Sequence, residues 1–125
     1  MSPRVLYVED NLDNLVLVRR VLNAAGFELL EAMSAQEGIE MAENHLPDLI
    51  LMDINMPEMD GLTATMHLRK NPAFRDVPIV ALTANVMRTV LEQVKTAGCD
   101  GYIVKPIQVD TFCDQISSFL KDGKS

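Results

Sequence analysis

Four apolar runs in this sequence each stop on a polar group. VLYV runs into Glu9 and Asp10, LILM into Asp53, IVAL into Thr83, and GYIV into Lys105-Pro106. Three carboxylates brought together repel one another, and such a cluster is stable only with a cation in it or with protons shared across it. All-oxygen donors select a hard cation, and Mg²⁺ suits because it takes one or two carboxylates and keeps several waters. Asp10 and Asp53 are the expected direct ligands and the backbone carbonyl of Asn55 an expected third, while Glu9 acts through water. With Mg²⁺ and the Lys105 ammonium at hand, phosphate is the natural ligand. Asp53 is then the expected nucleophile, attacking phosphorus to give an aspartyl phosphate. The cation and Lys105 are expected to neutralise charge on the equatorial oxygens, with Thr83 donating a hydrogen bond to one of them. No His or Glu is placed as a strong base toward water, so the expected hydrolysis is slow and the phosphorylated form can serve as a signal.

These groups meet only if the chain folds so that the strand ends share one rim. Val5 to Val8 is a short strand. Asn11 to Ala25 follows with Leu15, Val18, Leu22 and Ala25 at helical spacing, and Gly26 ends it as a C-cap. Phe27 to Ala32 is a second strand. Ser34 and Glu37 form a capping box that opens a helix to about Asn44, with Ile39 and Ala42 inward. After the third strand, Leu49 to Met52, the chain turns at Met56-Pro57. Asp60 is the expected N-cap of a third helix ending near Lys70. Asn71 to Asp76 reads as a polar loop. Strand Ile79 to Leu82, a helix from Met87 to Ala97 closed by Gly98, and strand Gly101 to Val104 follow. Val109, Phe112, Ile116 and Phe119 mark the inner face of a last helix, and Lys121 to Ser125 reads as a frayed polar tail.

Five strand–helix repeats with strands apolar on both faces predict an α/β fold, a doubly wound five-stranded parallel sheet covered by helices. In such sheets ligands bind beyond the carboxyl ends of the strands, which is where the polar groups fall. A parallel strand is apolar because both faces are covered, and only its last residue reaches the rim.

The chain has 125 residues, enough for one domain, 1–125, with a core of its own. Its formal net charge of −7 argues against nonspecific binding to nucleic acid or anionic membrane. No apolar run approaches a membrane span and the N-terminus does not resemble a signal peptide, so the expected location is cytoplasmic. Cys99 and Cys113 lack metal or redox spacing and are expected to be reduced thiols.

VEDN, LMDINMPEMDG, LTAN and GYIVKPI, in this order and each after a strand, resemble the response-regulator receiver domain, the CheY-like module of two-component signalling. The resemblance covers essentially the whole chain. It implies the sheet order 2-1-3-4-5, and a histidine kinase or histidine phosphotransfer protein as donor to Asp53. It also implies that Thr83 moves toward the phosphate while Tyr102 swings inward, and that the bond before Pro106 is cis. A surface of the fourth strand, fourth helix and fifth strand is then expected to change and to bind a downstream protein, the chain being a monomer or weak dimer. The domain is expected to catalyse only its own phosphorylation and dephosphorylation.

Taken singly, each residue has an ordinary role. Asp53 can start a turn, Thr83 can cap a helix, and Lys105 can be a surface lysine; only the constellation overturns this. His45 and His67 read as surface residues. Met33, Met41, Met52 and Met66 read as core filler, with Met56 and Met59 flanking the site loop where a partner could touch them. Arg88 and Lys95 read as a solvated helix face that a kinase could contact. A haloacid dehalogenase-type Mg²⁺-dependent phosphatase is a competing class, but its second Asp would fall at Asn55, which cannot donate an acid proton. A flavodoxin-like carrier would need a phosphate-cradling loop where this chain has acids. A receiver excised from a hybrid histidine kinase remains open beside a stand-alone regulator of the CheY or DivK kind. Met1 just before the first strand favours the stand-alone form.

Overall fold

A computed structural model describes residues 3–56 and 59–124, so Pro57 of the expected Met56-Pro57 turn and Ser125 of the expected tail lie outside the described residues. Five strands alternate with five helices: β1 (Arg4–Val8), α1 (Leu12–Ala24), β2 (Glu28–Ala32), α2 (Ala35–His45), β3 (Leu49–Asp53), α3 (Gly61–Arg69), β4 (Ile79–Thr83), α4 (Arg88–Ala97), β5 (Gly101–Val104) and α5 (Val109–Lys124). All pairings are parallel, in the order β2-β1-β3-β4-β5.

Alternation along each strand divides the core in two. Val5, Tyr7, Leu49, Leu51, Val80, Leu82 and Ile103 face α1 and α5, meeting Leu15, Val18, Leu22, Phe112 and Ile116. Leu6, Val8, Ile50, Met52 and Ile79 face α2 and α3, meeting Ile39, Ala42, Ala64 and Leu68. Ala81 faces α4 through Val94. The central strands β3 and β4 are buried throughout. The edge strands are not, because a strand with one neighbour is also only partly roofed: β2 is buried only at Ala32, and β5 only at Ile103.

The helix starts follow their side chains. Asn11, Ser34 and Asp60 accept backbone N–H groups of Asn14, Glu37 and Thr63, satisfying donors that a helix's first turn leaves free. Glu37 reaches back to the N–H of Met33, one residue before the cap, at 2.6 Å. Gly26 and Gly98 take positive φ after α1 and α4, the left-handed step that ends a helix.

Several expectations of burial fail. Phe74 sits at 0% exposure inside a 3-10 turn, Pro72–Phe74, within the segment expected to be a polar loop. Met33 and Met66 are exposed rather than core filler, and Ala25 and Val109 are exposed rather than inward: Met33 follows the end of β2, Ala25 caps the end of α1, Val109 opens α5, and Met66 lies on the outer side of α3 between the buried Thr65 and Leu68. Met56 is buried in the core and is not available to a partner. The expected frayed tail continues α5 as far as Lys124.

Candidate functional site

Strand parity decides which rim residues meet. Tyr7 and Glu9, Leu51 and Asp53, Ile103 and Lys105 each lie two residues apart, so all six fall on the α1/α5 side. The ladder continues past two strand ends, with Glu9 N–H on Ala32 O at 2.9 Å and Lys105 N–H on Thr83 O at 2.8 Å. Glu9 and Lys105 are therefore fixed by the sheet and do not hang on free loops. The Lys105–Pro106 peptide is cis.

Lys105 Nζ lies 2.9 Å from Glu9 Oε1 and 3.1 Å from Asp53 Oδ2. Among the described residues, Glu9, Asp10 and Asp53 each present a carboxylate oxygen within 4.8 Å of the others. Glu9 and Asp53 are buried, whereas Asp10 is exposed and closes the cluster from the solvent side. Asp53 Oδ1 accepts the N–H of Asn55 at 2.9 Å, so Asp53 does start a turn as well as join the cluster. The start of α3 packs on the backbone behind it. A Cβ on Gly61 would run into the carbonyl oxygen of Asp53 and stand 2.7 Å from Met52 Cγ, so only glycine permits this approach.

The two buried acids titrate apart. Burial, reinforced by the Glu9 carboxylate alongside, pushes Asp53 up to about 6. Burial also acts to raise Glu9, but hydrogen bonds with Asp53, Lys105 and Tyr7 outweigh it and hold Glu9 below the usual carboxylate range. Burial works against the Lys105 ammonium, yet its two acidic partners overcome this and raise it. At neutral pH the centre is thus an ionised Glu9–Lys105 pair beside a largely ionised Asp53.

Thr83 is fully buried on the opposite strand parity, and its hydroxyl donates to Asn85 O and accepts from Asn85 N–H, both at 3.0 Å. It stands at the rim, engaged with the loop that leads to α4. Tyr102 is 42% exposed and outside the cluster. The backbone N–H of Asn55 is engaged with Asp53, while its side chain faces solvent. His45 and His67 are exposed. Two residues on Glu9 escaped sequence reading: Asn14 donates its side-chain amide to Glu9 Oε1 at 3.3 Å, and Tyr7, fully buried, donates its hydroxyl to the same oxygen at 2.8 Å. For Tyr7 the available signal was its place two residues before Glu9 on the same strand face.

The donor set fits a hard divalent cation: oxygen atoms only, negative in sum, with one carboxylate open to solvent.

Comparison with known proteins agrees with this arrangement. Residues 5–117 match the family described as the response regulator receiver domain. The chain is 41% identical over 123 residues to the polar-differentiation response regulator DivK of Brucella ovis, covering 98% of this chain and 100% of that protein. The fold is similar to chemotaxis protein CheY4 of Vibrio cholerae, with a TM-score of 0.91, 27% identity and coverage of 95% and 99% of the two chains. It is also similar to the receiver domain of a Pseudomonas aeruginosa sensor histidine kinase whose structure has a magnesium ion coordinated in the active site cleft. There the TM-score is 0.89 and the identity 30%, with 97% and 99% of the chains covered. The chain therefore belongs to the response regulator receiver domain family and serves two-component signalling.

Proposed function

We propose that Asp53 is the phosphoacceptor and that residues 1–125 work as one receiver. The observation that carries this reading is the position of Asp53: a buried strand-end carboxylate held by the Asn55 N–H on one oxygen and facing Lys105 on the other. A carboxylate oxygen of Asp53 forms the new O–P bond as the P–N bond to a donor phosphohistidine breaks. The leaving imidazole keeps that electron pair and takes a proton. Lys105 then faces the transferred group and offsets its charge, while the buried Glu9 keeps Lys105 in place. Thr83, released from Asn85, donates to a phosphoryl oxygen. Asp10, Asp53 and the Asn55 carbonyl would hold Mg²⁺, with Glu9 reaching it through water, and the cation when bound supplies charge neutralisation on the phosphoryl oxygens.

A histidine kinase or histidine phosphotransfer protein is the donor and a downstream protein the target. Val86, Met87, Tyr102 and Val104, exposed apolar residues on the loop before α4 and on β5, support this face as the one that switches, with Tyr102 turning inward. A phosphoryl group adds ~1.5–2 negative charges, enough to bias two states a few kcal/mol apart. The domain catalyses only its own phosphorylation and dephosphorylation. No helix among the described residues is long and apolar enough to cross a membrane, and the reading places the protein in the cytoplasm with its kinase. The 41% identity to Brucella DivK supports a regulator of the DivK kind. The likeness to a sensor-kinase receiver keeps the hybrid-kinase origin as a second reading.

The test is phosphotransfer from each autophosphorylated histidine kinase of the source organism. Rapid transfer from one or a few supports the reading; transfer from none, with the kinases active on their own partners, rejects it.

A further inference from the structure

A tyrosine inside a four-residue apolar run would ordinarily be core. Tyr7 does belong to the cluster under α1 and α5 and is fully buried. A buried phenol must still find a partner for its O–H, and this one is aimed along the strand at Glu9 Oε1, 2.8 Å away. The same oxygen accepts Lys105 Nζ at 2.9 Å and Asn14 Nδ2 at 3.3 Å. Its partner Oε2 accepts the N–H of Asn11 at 3.3 Å. Four donors thus hold one carboxylate, and Tyr7 is the only one of them that reaches it from within the core.

We propose that Tyr7 is a positioning residue for phosphoryl transfer: its buried hydroxyl fixes Glu9 and absorbs part of its negative charge, so that Lys105 is shared with Asp53 and is not captured by Glu9. This rests on the reading of Asp53 as acceptor. Without the hydroxyl, the Glu9 carboxylate carries more of its charge unshared and draws Lys105 closer. Asp53 then loses its competing cation, and a divalent ion meets a more negative cluster. Lys105, held back on Glu9, serves the incoming phosphoryl group less well. The two effects run in opposite directions, toward tighter metal and slower transfer.

Tyr7→Phe removes one oxygen and keeps the ring. Mg²⁺ affinity is read by calorimetry, and labelling by acetyl phosphate is read at saturating Mg²⁺. The expected result is Mg²⁺ binding roughly threefold tighter together with labelling roughly threefold or more slower, the scale of one hydrogen bond to a charged group partly replaced by water. Ile116→Val, in the same core cluster and away from the rim, controls for loosened packing and is expected to move neither quantity. Both quantities unchanged in Tyr7→Phe, or both weakened together, would overturn the proposal. If Tyr7→Phe does not fold, Tyr7→Met, a flexible apolar side chain that removes the O–H without adding volume to the core, is expected to give the same opposed pair of changes. An unlabelled wild-type chain would instead reject the acceptor reading itself, which the Mg²⁺ titration alone does not address.

Discussion

Lys105 Nζ stands 3.1 Å from Asp53 Oδ2, so the base at the end of β5 already rests on the acid at the end of β3, across the intervening strand β4. The contact offsets one of the site's negative charges, leaving the cluster of Glu9, Asp10 and Asp53 negative in sum, and places a cation where a phosphoryl group on Asp53 would need one.

Lys105→Met leaves Glu9 and Asp53 buried without a cation. Breaking a buried pair by removing one partner costs about 3 kcal/mol, and the loss should be largest in EDTA. Added Mg²⁺ should recover part of it, because a divalent ion supplies the missing charge. Labelling should still fall at least about tenfold, one charge-assisted contact in the transition state. Thermal melts with and without Mg²⁺ check the first part, and acetyl phosphate kinetics check the second.

Protons and Mg²⁺ compete for Asp53. Its carboxyl titrates near 6 in the metal-free protein, above the ~3.9 of an unfolded aspartate. A group raised on folding binds more protons in the native state, so its contribution to stability is full below the unfolded value and is lost as pH rises through about 6. Glu9, held low, works in the opposite sense at more acid pH. Mg²⁺ binding requires the ionised Asp53 and relieves its cost. The rise in melting temperature given by millimolar Mg²⁺ should therefore be small at pH 5 and large at pH 7. An equal shift at both values would contradict this.

Gly61→Ala drives a Cβ into the backbone of Asp53. The obstacle is main chain rather than a flexible side-chain end, so overpacking should cost about 1–3 kcal/mol and displace the acceptor. A melt and a Mg²⁺ titration on one variant test both, with weaker Mg²⁺ binding expected.

Much of this site was legible because the fold writes it at strand ends. Each central strand is apolar until it emerges, so Glu9, Asp53, Thr83 and Lys105 announce themselves as the first polar residues, and period-two alternation places three of them on one side. Sheet order was not legible from periodicity, which tells a strand's faces and not its neighbours; the resemblance supplied it. Tyr7 was hidden because a tyrosine among Val and Leu reads as packing. Phe74 was hidden for the converse reason, one buried ring among polar neighbours. Met33 and Met66 misled because methionine is tolerated inside and out, and Val109 because a helix meets the sheet only after its first turn.

Arg69 joins the opposite end of the sheet. Its guanidinium donates to Gly98 O at 2.9 Å, to Phe74 O, to Val77 O at 2.9 Å, and to Asp100 Oδ2 at 2.8 Å. Arg69→Met should strand these carbonyls and cost about 2–4 kcal/mol, while leaving the Mg²⁺ midpoint unchanged because the rim lies at the other end of the strands. Denaturant titration beside calorimetry separates the two.

The most direct measurement is site-resolved mass spectrometry after incubation with acetyl phosphate and Mg²⁺. The account expects one acyl phosphate, on Asp53, not formed when EDTA replaces Mg²⁺ and absent from Asp53→Ala. A phosphoryl group on another residue, or undiminished labelling of Asp53→Ala, would contradict it.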